Sequence, residues 1–138
     1  MIESIRSYMC SCPLLKDGCY LRVDFLGNEP TEYVIETVPT NRIIKRYVDG
    51  GSLREYLFIF ASREYYSSDV LQNLENSGFY EDFAEWIESQ NAKGIYPDMG
   101  RGKSACGIEA LSNGYMFDAT ANEARYQIQC RIIYYQKG

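Results

Sequence analysis

Apolar positions along the chain repeat with two periods, one helical and one extended. Ile2, Ile5, Met9 and Cys12 recur at helical spacing and Pro13 closes the run, which predicts a short amphipathic helix ending near residue 12. Over 19–26, Cys19, Leu21, Val23 and Phe25 alternate with Tyr20, Arg22, Asp24 and Leu26, the period of a strand. Gly27-Asn28-Glu29-Pro30 supplies turn chemistry. A second strand, rich in β-branched residues, is expected over 32–38, until Pro39-Thr40-Asn41 breaks it.

Residues 42–48 and 53–63 flank Asp49-Gly50-Gly51-Ser52, and Asp-Gly between two apolar runs signals a β-hairpin. Tyr56-Leu57-Phe58-Ile59-Phe60-Ala61 is apolar at every position. Such a strand belongs in the middle of a sheet, covered by helices or by another subunit.

From residue 67 the period becomes helical. Ser67 or Ser68 can cap the start, and Val70, Leu71 and Leu74 form a short apolar stripe that Ser77-Gly78 is expected to interrupt. Phe79, Phe83, Trp86 and Ile87 form a stronger stripe, with Glu81, Asp82, Glu85 and Glu88 turned to water and Gly94 at the C-terminal cap. Residues 96–103 carry Pro97, Gly100 and Gly102 and read as a mobile loop. The tail reads as a hairpin. Its less regular arm runs over 105–117 with a bulge at Ser112-Asn113-Gly114, and its second arm alternates Ala124, Tyr126, Ile128, Cys130, Ile132 and Tyr134 with polar residues.

The expected fold is α+β in one domain over 1–138. It is a mainly antiparallel sheet with a β-hairpin, packed by an N-terminal helix and a central amphipathic helical segment.

At 138 residues, 46% of them apolar and 24% charged, the chain can bury a core, and wholesale disorder is not expected. Its 14 basic and 19 acidic side chains leave a formal charge of −5, a poor basis for non-specific nucleic-acid binding. No run of about 18 apolar residues occurs, so no membrane span is expected. Met1-Ile2-Glu3-Ser4-Ile5-Arg6 lacks the basic-then-apolar layout of a secretory signal, and folding in the cytoplasm is expected. Five cysteines, mostly at apolar positions of periodic segments, read as buried free thiols of a reducing compartment.

Groups able to do chemistry are few. With no histidine, the usual base for a serine or cysteine nucleophile is missing. Gly102-Lys103-Ser104 resembles the end of a P-loop, but residue 97 is proline where that motif needs glycine. Cys10-Ser11-Cys12 with Cys19 lacks the paired Cys-x-x-Cys spacing of a structural zinc site. No catalytic residue, cofactor or metal is therefore expected, and no enzymatic activity. Thirteen tyrosines, six phenylalanines and one tryptophan exceed the needs of a core this size, and tyrosine is enriched at interfaces. Tyr65-Tyr66 and Tyr134-Tyr135 each place neighbouring rings on opposite strand faces, one for the core and one for the surface.

Several segments, in order, are similar to those of the small tail-terminator proteins of long-tailed bacteriophages and prophages, often labelled minor capsid proteins. They are Tyr33-Val34-Ile35-Glu36, Lys45-Arg46-Tyr47-Val48-Asp49-Gly50 and Arg54-Glu55-Tyr56-Leu57-Phe58-Ile59-Phe60-Ala61-Ser62-Arg63. Gly78-Phe79-Tyr80-Glu81-Asp82-Phe83-Ala84-Glu85-Trp86-Ile87, Gly114-Tyr115 and Tyr126-Gln127-Ile128-Gln129-Cys130-Arg131-Ile132-Ile133-Tyr134 complete the set. The resemblance implies a homo-hexameric ring that caps the tail tube, ends its polymerisation and presents a surface to the head connector. Its partners would be further copies of itself, the tail-tube protein and the head-connector protein, with neither a specific nucleic acid nor a membrane. The ring would sit in the virion at the tail–head junction after assembly in the bacterial cytoplasm, and the isolated chain could remain monomeric until the tube templates it.

Candidate interface residues are Tyr47, Asp49 and Gly50 at the hairpin, Tyr96, Arg101 and Lys103 in the following loop, and Arg125, Gln127, Gln129, Arg131 and Tyr135 on the last strand. Rival readings are a head-completion or connector protein, a small ligand-binding module and a small enzyme of unknown type.

Overall fold

The structure, a computed structural model, describes residues 2–14, 21–23, 32–38, 43–65, 70–112, 115–119 and 123–138. Among the described residues, two helices and seven strands follow in the order α1 (Ile2–Met9), β1 (Leu21–Val23), β2 (Glu32–Thr37), β3 (Ile43–Arg46), β4 (Ser52–Tyr65), α2 (Val70–Lys93), β5 (Lys103–Ala110), β6 (Tyr115–Ala119) and β7 (Glu123–Gln136). The fold is α+β, with a mainly antiparallel sheet. The expected turn at 27–30, the break at 39–41, the Ser67 or Ser68 cap and Asn113-Gly114 of the expected bulge lie outside the described residues.

Two 14-residue strands make the frame. β4 and β7 pair antiparallel along their whole length, from Ser52 opposite Gln136 to Tyr65 opposite Glu123. β2 and β3 share the outer edge of β4, and β5 and β6 share that of β7, while β1 adds parallel to β2. The central place expected for 56–61 is therefore observed. The tail differs from a simple hairpin, because its first arm is two strands laid in succession along β7.

Period two assigns the faces. Phe58, Phe60, Ile128, Cys130 and Ile132 are fully buried beneath the helices together with Tyr80, Phe83 and Ile87, and Ile5 and Met9 of α1 complete the core. Burying each large apolar side chain contributes roughly 1.5–3 kcal/mol. Phe60 stacks on Phe83, and Tyr8 of α1 meets Trp86 with ring centroids 5.6 Å apart.

α2 runs unbroken for 24 residues, so Ser77-Gly78 does not interrupt it. Glycine in a helix interior costs about 1 kcal/mol relative to alanine. The core contacts of Tyr80, Phe83 and Ile87 just beyond it outweigh that. Gly94 ends the helix as expected, with φ at +71°, donating to Asn91 O at 3.2 Å while Ile95 N donates to Gln90 O at 3.0 Å. That pair of bonds is the Schellman pattern.

Candidate functional site

The expected hairpin forms with a three-residue loop over 48–50. Tyr47 N donates to Gly51 O at 2.8 Å, Gly50 N donates to Tyr47 O at 3.1 Å, and Gly50 takes the left-handed position at φ +90°. Asp49 Oδ1 accepts from Gly51 N at 2.9 Å, holding the turn from its own side chain.

Strand register brings this loop to the other candidate residues. Ser52 and Lys103 both lie opposite Gln136, so the hairpin, the start of β5 and the end of β7 meet at one end of the sheet. Tyr135 sits there against Tyr47, ring centroids 5.8 Å apart, with its hydroxyl 3.5 Å from Asp49 Oδ2. Desolvation and then the facing Asp49 carboxylate raise the Tyr135 pKa above that of an ordinary phenol. Lys45 Nζ stands 5.3 Å from the Tyr47 ring centroid, and Lys103 Nζ 5.9 Å from that of Tyr134. Tyr47, Asp49, Gly50, Lys103 and Tyr135 thus share one end of the sheet, with the exposed Arg101 two residues before β5.

Tyr134 is buried and Tyr135 half-buried, matching the expected split. The side chains of Tyr65 and Tyr66 lie outside the described residues.

The remaining residues of the last strand are placed elsewhere. Arg125, Gln127, Gln129 and Arg131 alternate along the β7 face turned away from the helices. Gln127 is buried, only 4% exposed, so it is not a surface contact as expected. Arg125 bonds its Oε1 at 3.1 Å and pairs with Glu36 at 2.9 Å. Arg131 pairs with Glu55 at 3.0 Å and with Glu109, tying β7 to both of its neighbours. Desolvation works against the Arg131 charge, but hydrogen bonds to Glu55 and Glu109 outweigh it and the net shift is upward. Gln129 is exposed, and its backbone N donates to Ser112 Oγ at 3.2 Å. The two arginines therefore act first as cross-strand ties.

Residues 96–103 are anchored, unlike the mobile loop expected there. Pro97 and Met99 are buried, Asp98 Oδ1 accepts from Gly100 N at 2.9 Å, and Tyr96 Oη donates towards Asn91 at 3.3 Å. Lys103 begins a strand, whereas a P-loop lysine opens a helix, so the glycines before it do not cradle a phosphate in that way.

The cysteines divide three ways. Cys12 and Cys130 are buried thiols, as expected. Cys106 is exposed, and Cys10 is disulfide-bonded, both contrary to the expected buried free thiols. Burial pushes the Cys130 thiol up to about 12. Among the described residues no cluster of three or more His, Cys, Asp or Glu is placed to hold a metal ion, and no helix is long and apolar enough to cross a membrane.

Two features had no clear signal in the sequence. A β-bulge in β3, where Ile43 faces Arg54 and Lys45 faces Leu53, leaves Ile44 as the extra residue, 43% exposed. On the opposite sheet edge a groove of about 590 Å³ runs between α2 and β5, lined by Ala84, Glu88, Asn91, Ile108, Glu109 and Leu111 among others. Bulges and grooves depend on register, which residue types alone do not set.

Comparison with protein-family models finds none that matches this chain, and comparison with curated proteins finds no significant similarity.

Proposed function

We propose that this chain is a structural morphogenesis protein of a long-tailed phage or prophage that caps the tail tube as a ring, ends tail polymerisation and forms the head–tail joining surface. It acts by shape and association, without catalysis or cofactor. The segment resemblance motivates this reading, and its segments make up β2, the β3–β4 hairpin, β4, much of α2 and β7, which are the framework of the sheet and its cover.

The observation that supports it most directly is the hairpin tip. Ile44, Tyr47 and Val48 are respectively 43%, 38% and 108% exposed. Three exposed apolar side chains on and beside a turn stiffened by its own hydrogen bonds favour an association surface. A head-completion or connector role would use the same kind of surface on the portal side. A ligand-binding module finds less support, because the α2–β5 groove is edged by Glu88, Asn91 and Glu109 rather than closed and apolar.

Deleting the gene in its parent phage or prophage tests the proposal. Full heads should accumulate beside separate tails, many of them overlong or ragged. Normal tails joined to heads would refute it, and normal-length tails that fail to join would point to the connector role.

A further inference from the structure

We propose that copies of this chain dock head to tail, with the hairpin tip of one copy seated in the α2–β5 groove of the next. The inference deepens the assembly reading above and rests on it for self-association; the two surfaces come from the geometry.

The tip is an apolar knob in a basic collar. The bulge in β3 turns Ile44 outward and the loop lifts Val48 fully into solvent. Between them Lys45 and Arg46 are exposed, and neither makes an ion pair with a described residue. Even with the exposed Asp49 carboxylate on the adjoining loop, these two side chains leave the tip locally positive on a chain of net charge −5.

The groove has the opposite charge character. Its floor includes Ala84, Ile108 and Leu111, the last 45% exposed, and its rim carries Glu88 and Glu109 with no Lys or Arg among the lining residues. Glu81, Glu85 and Glu88 follow one another at i, i+4 and i+7, which sets an exposed acidic stripe along α2 beside that floor. Glu109 is partly neutralised by Arg131, whereas Glu85 and Glu88 meet no described cation. Asn91 Oδ1 accepts from Ile108 N at 3.1 Å, so this strand edge already has a side-chain partner there. The groove is thus suited to receive side chains rather than an added strand.

Both halves of the contact lie on one molecule but on opposite edges of its sheet, since β3 pairs with β4 and β5 pairs with β7. A copy cannot satisfy its own groove. Two net-acidic copies repel each other in most orientations, and bringing the basic tip to the acidic stripe is one that attracts. The resulting contact is heterologous, so it continues from copy to copy and either closes into a ring or runs on as a filament.

Sedimentation of the full chain tests this with two charge-reversed variants, Lys45→Glu/Arg46→Glu at the tip and Glu85→Lys/Glu88→Lys at the groove. All four positions are exposed, and thermal melts should confirm that both variants fold. The wild type should associate at roughly 50 mM salt and dissociate at roughly 500 mM, where charges are screened within a few ångströms. Each variant alone should bind itself at least about tenfold more weakly, a difference of roughly 1.4 kcal/mol. An equimolar mixture should recover association, because the unaltered tip of one variant meets the unaltered groove of the other.

A wild type that stays monomeric at roughly 1 mM, the weakest association of interest, would overturn the inference. So would variants that associate like the wild type, or a mixture that does not recover. These measurements need no phage. A failed mixing experiment leaves the gene-deletion result standing, and a failed deletion result leaves the measured contact standing.

Discussion

Phe60 of β4 and Phe83 of α2 lie face to face, with ring centroids 4.5 Å apart and planes 12° from parallel. Both are fully buried, and this stack joins the centre of the sheet to the middle of its covering helix. Phe83→Ala should therefore cost about 3–5 kcal/mol by lost burial and the cavity left behind. Urea unfolding measures it; a midpoint that does not move would show that α2 does not pack here.

Tyr80 should contribute through its hydroxyl as well as its ring. Its Oη donates to Tyr126 O at 2.9 Å and lies 2.7 Å from Ser62 Oγ. With one proton already given to the carbonyl, the tyrosine oxygen accepts from Ser62. Tyr80→Phe keeps the ring and removes both bonds inside the core, and a loss of about 1–3 kcal/mol is expected by denaturant unfolding.

Gly51 is required by its neighbour rather than by its backbone angle. A Cβ added there would clash with the Tyr135 hydroxyl and ring edge, while Gly51 does not occupy the left-handed region. Gly51→Ala should push the ring off Tyr47 and Asp49 and destabilise the protein by about 1–3 kcal/mol. In a Tyr135→Ala background the same change should be nearly silent, giving a coupling of about 1 kcal/mol or more in a double-mutant cycle. Additive effects would disprove the contact.

Cys130 should report on alkaline stability. Its thiol is pushed from 9.0 in the free side chain to about 12 by burial. Above pH 9 the unfolded chain gives up this proton while the folded chain keeps it, so stability falls between about pH 9 and 12. The slope is at most about 1.4 kcal/mol per pH unit. Cys130→Ala should lose less stability than the wild type over that window in parallel unfolding experiments. At pH 8 a thiol reagent should modify the exposed Cys106 first, slowed by the desolvation that raises its pKa and by its hydrogen bond to Ile133 O, and Cys130 only as the protein unfolds.

Much of the candidate site can be read from residues close in sequence. Asp49-Gly50 announces the hairpin because a tight reversal needs a residue tolerant of positive φ, and Gly50 at +90° fills that role. Tyr134 and Tyr135 divide between core and surface because adjacent strand residues point oppositely. Nothing local brings Tyr135 to Asp49 or places Lys103 at the same end of the sheet. Those relations are fixed by the pairing of β7 with β4 and β5. Gln127 illustrates the limit. Its place in an alternating pattern suggests exposure, yet the structure buries it against neighbours remote in sequence.

The sequence by itself determines the periods, the hairpin, the Gly94 helix stop and the α+β class, because each depends on side-chain spacing or on the conformational range of one or two residues. Tertiary structure alone decides that α2 continues through Gly78, that the tail arm divides into β5 and β6, and that Ile44 and the acidic groove face outward on opposite sheet edges. The reason is energetic. Local preferences are worth about 1 kcal/mol per residue and are overridden where burial of several large side chains outweighs them. Register, which sets what meets what across the sheet, is chosen by the whole core at once.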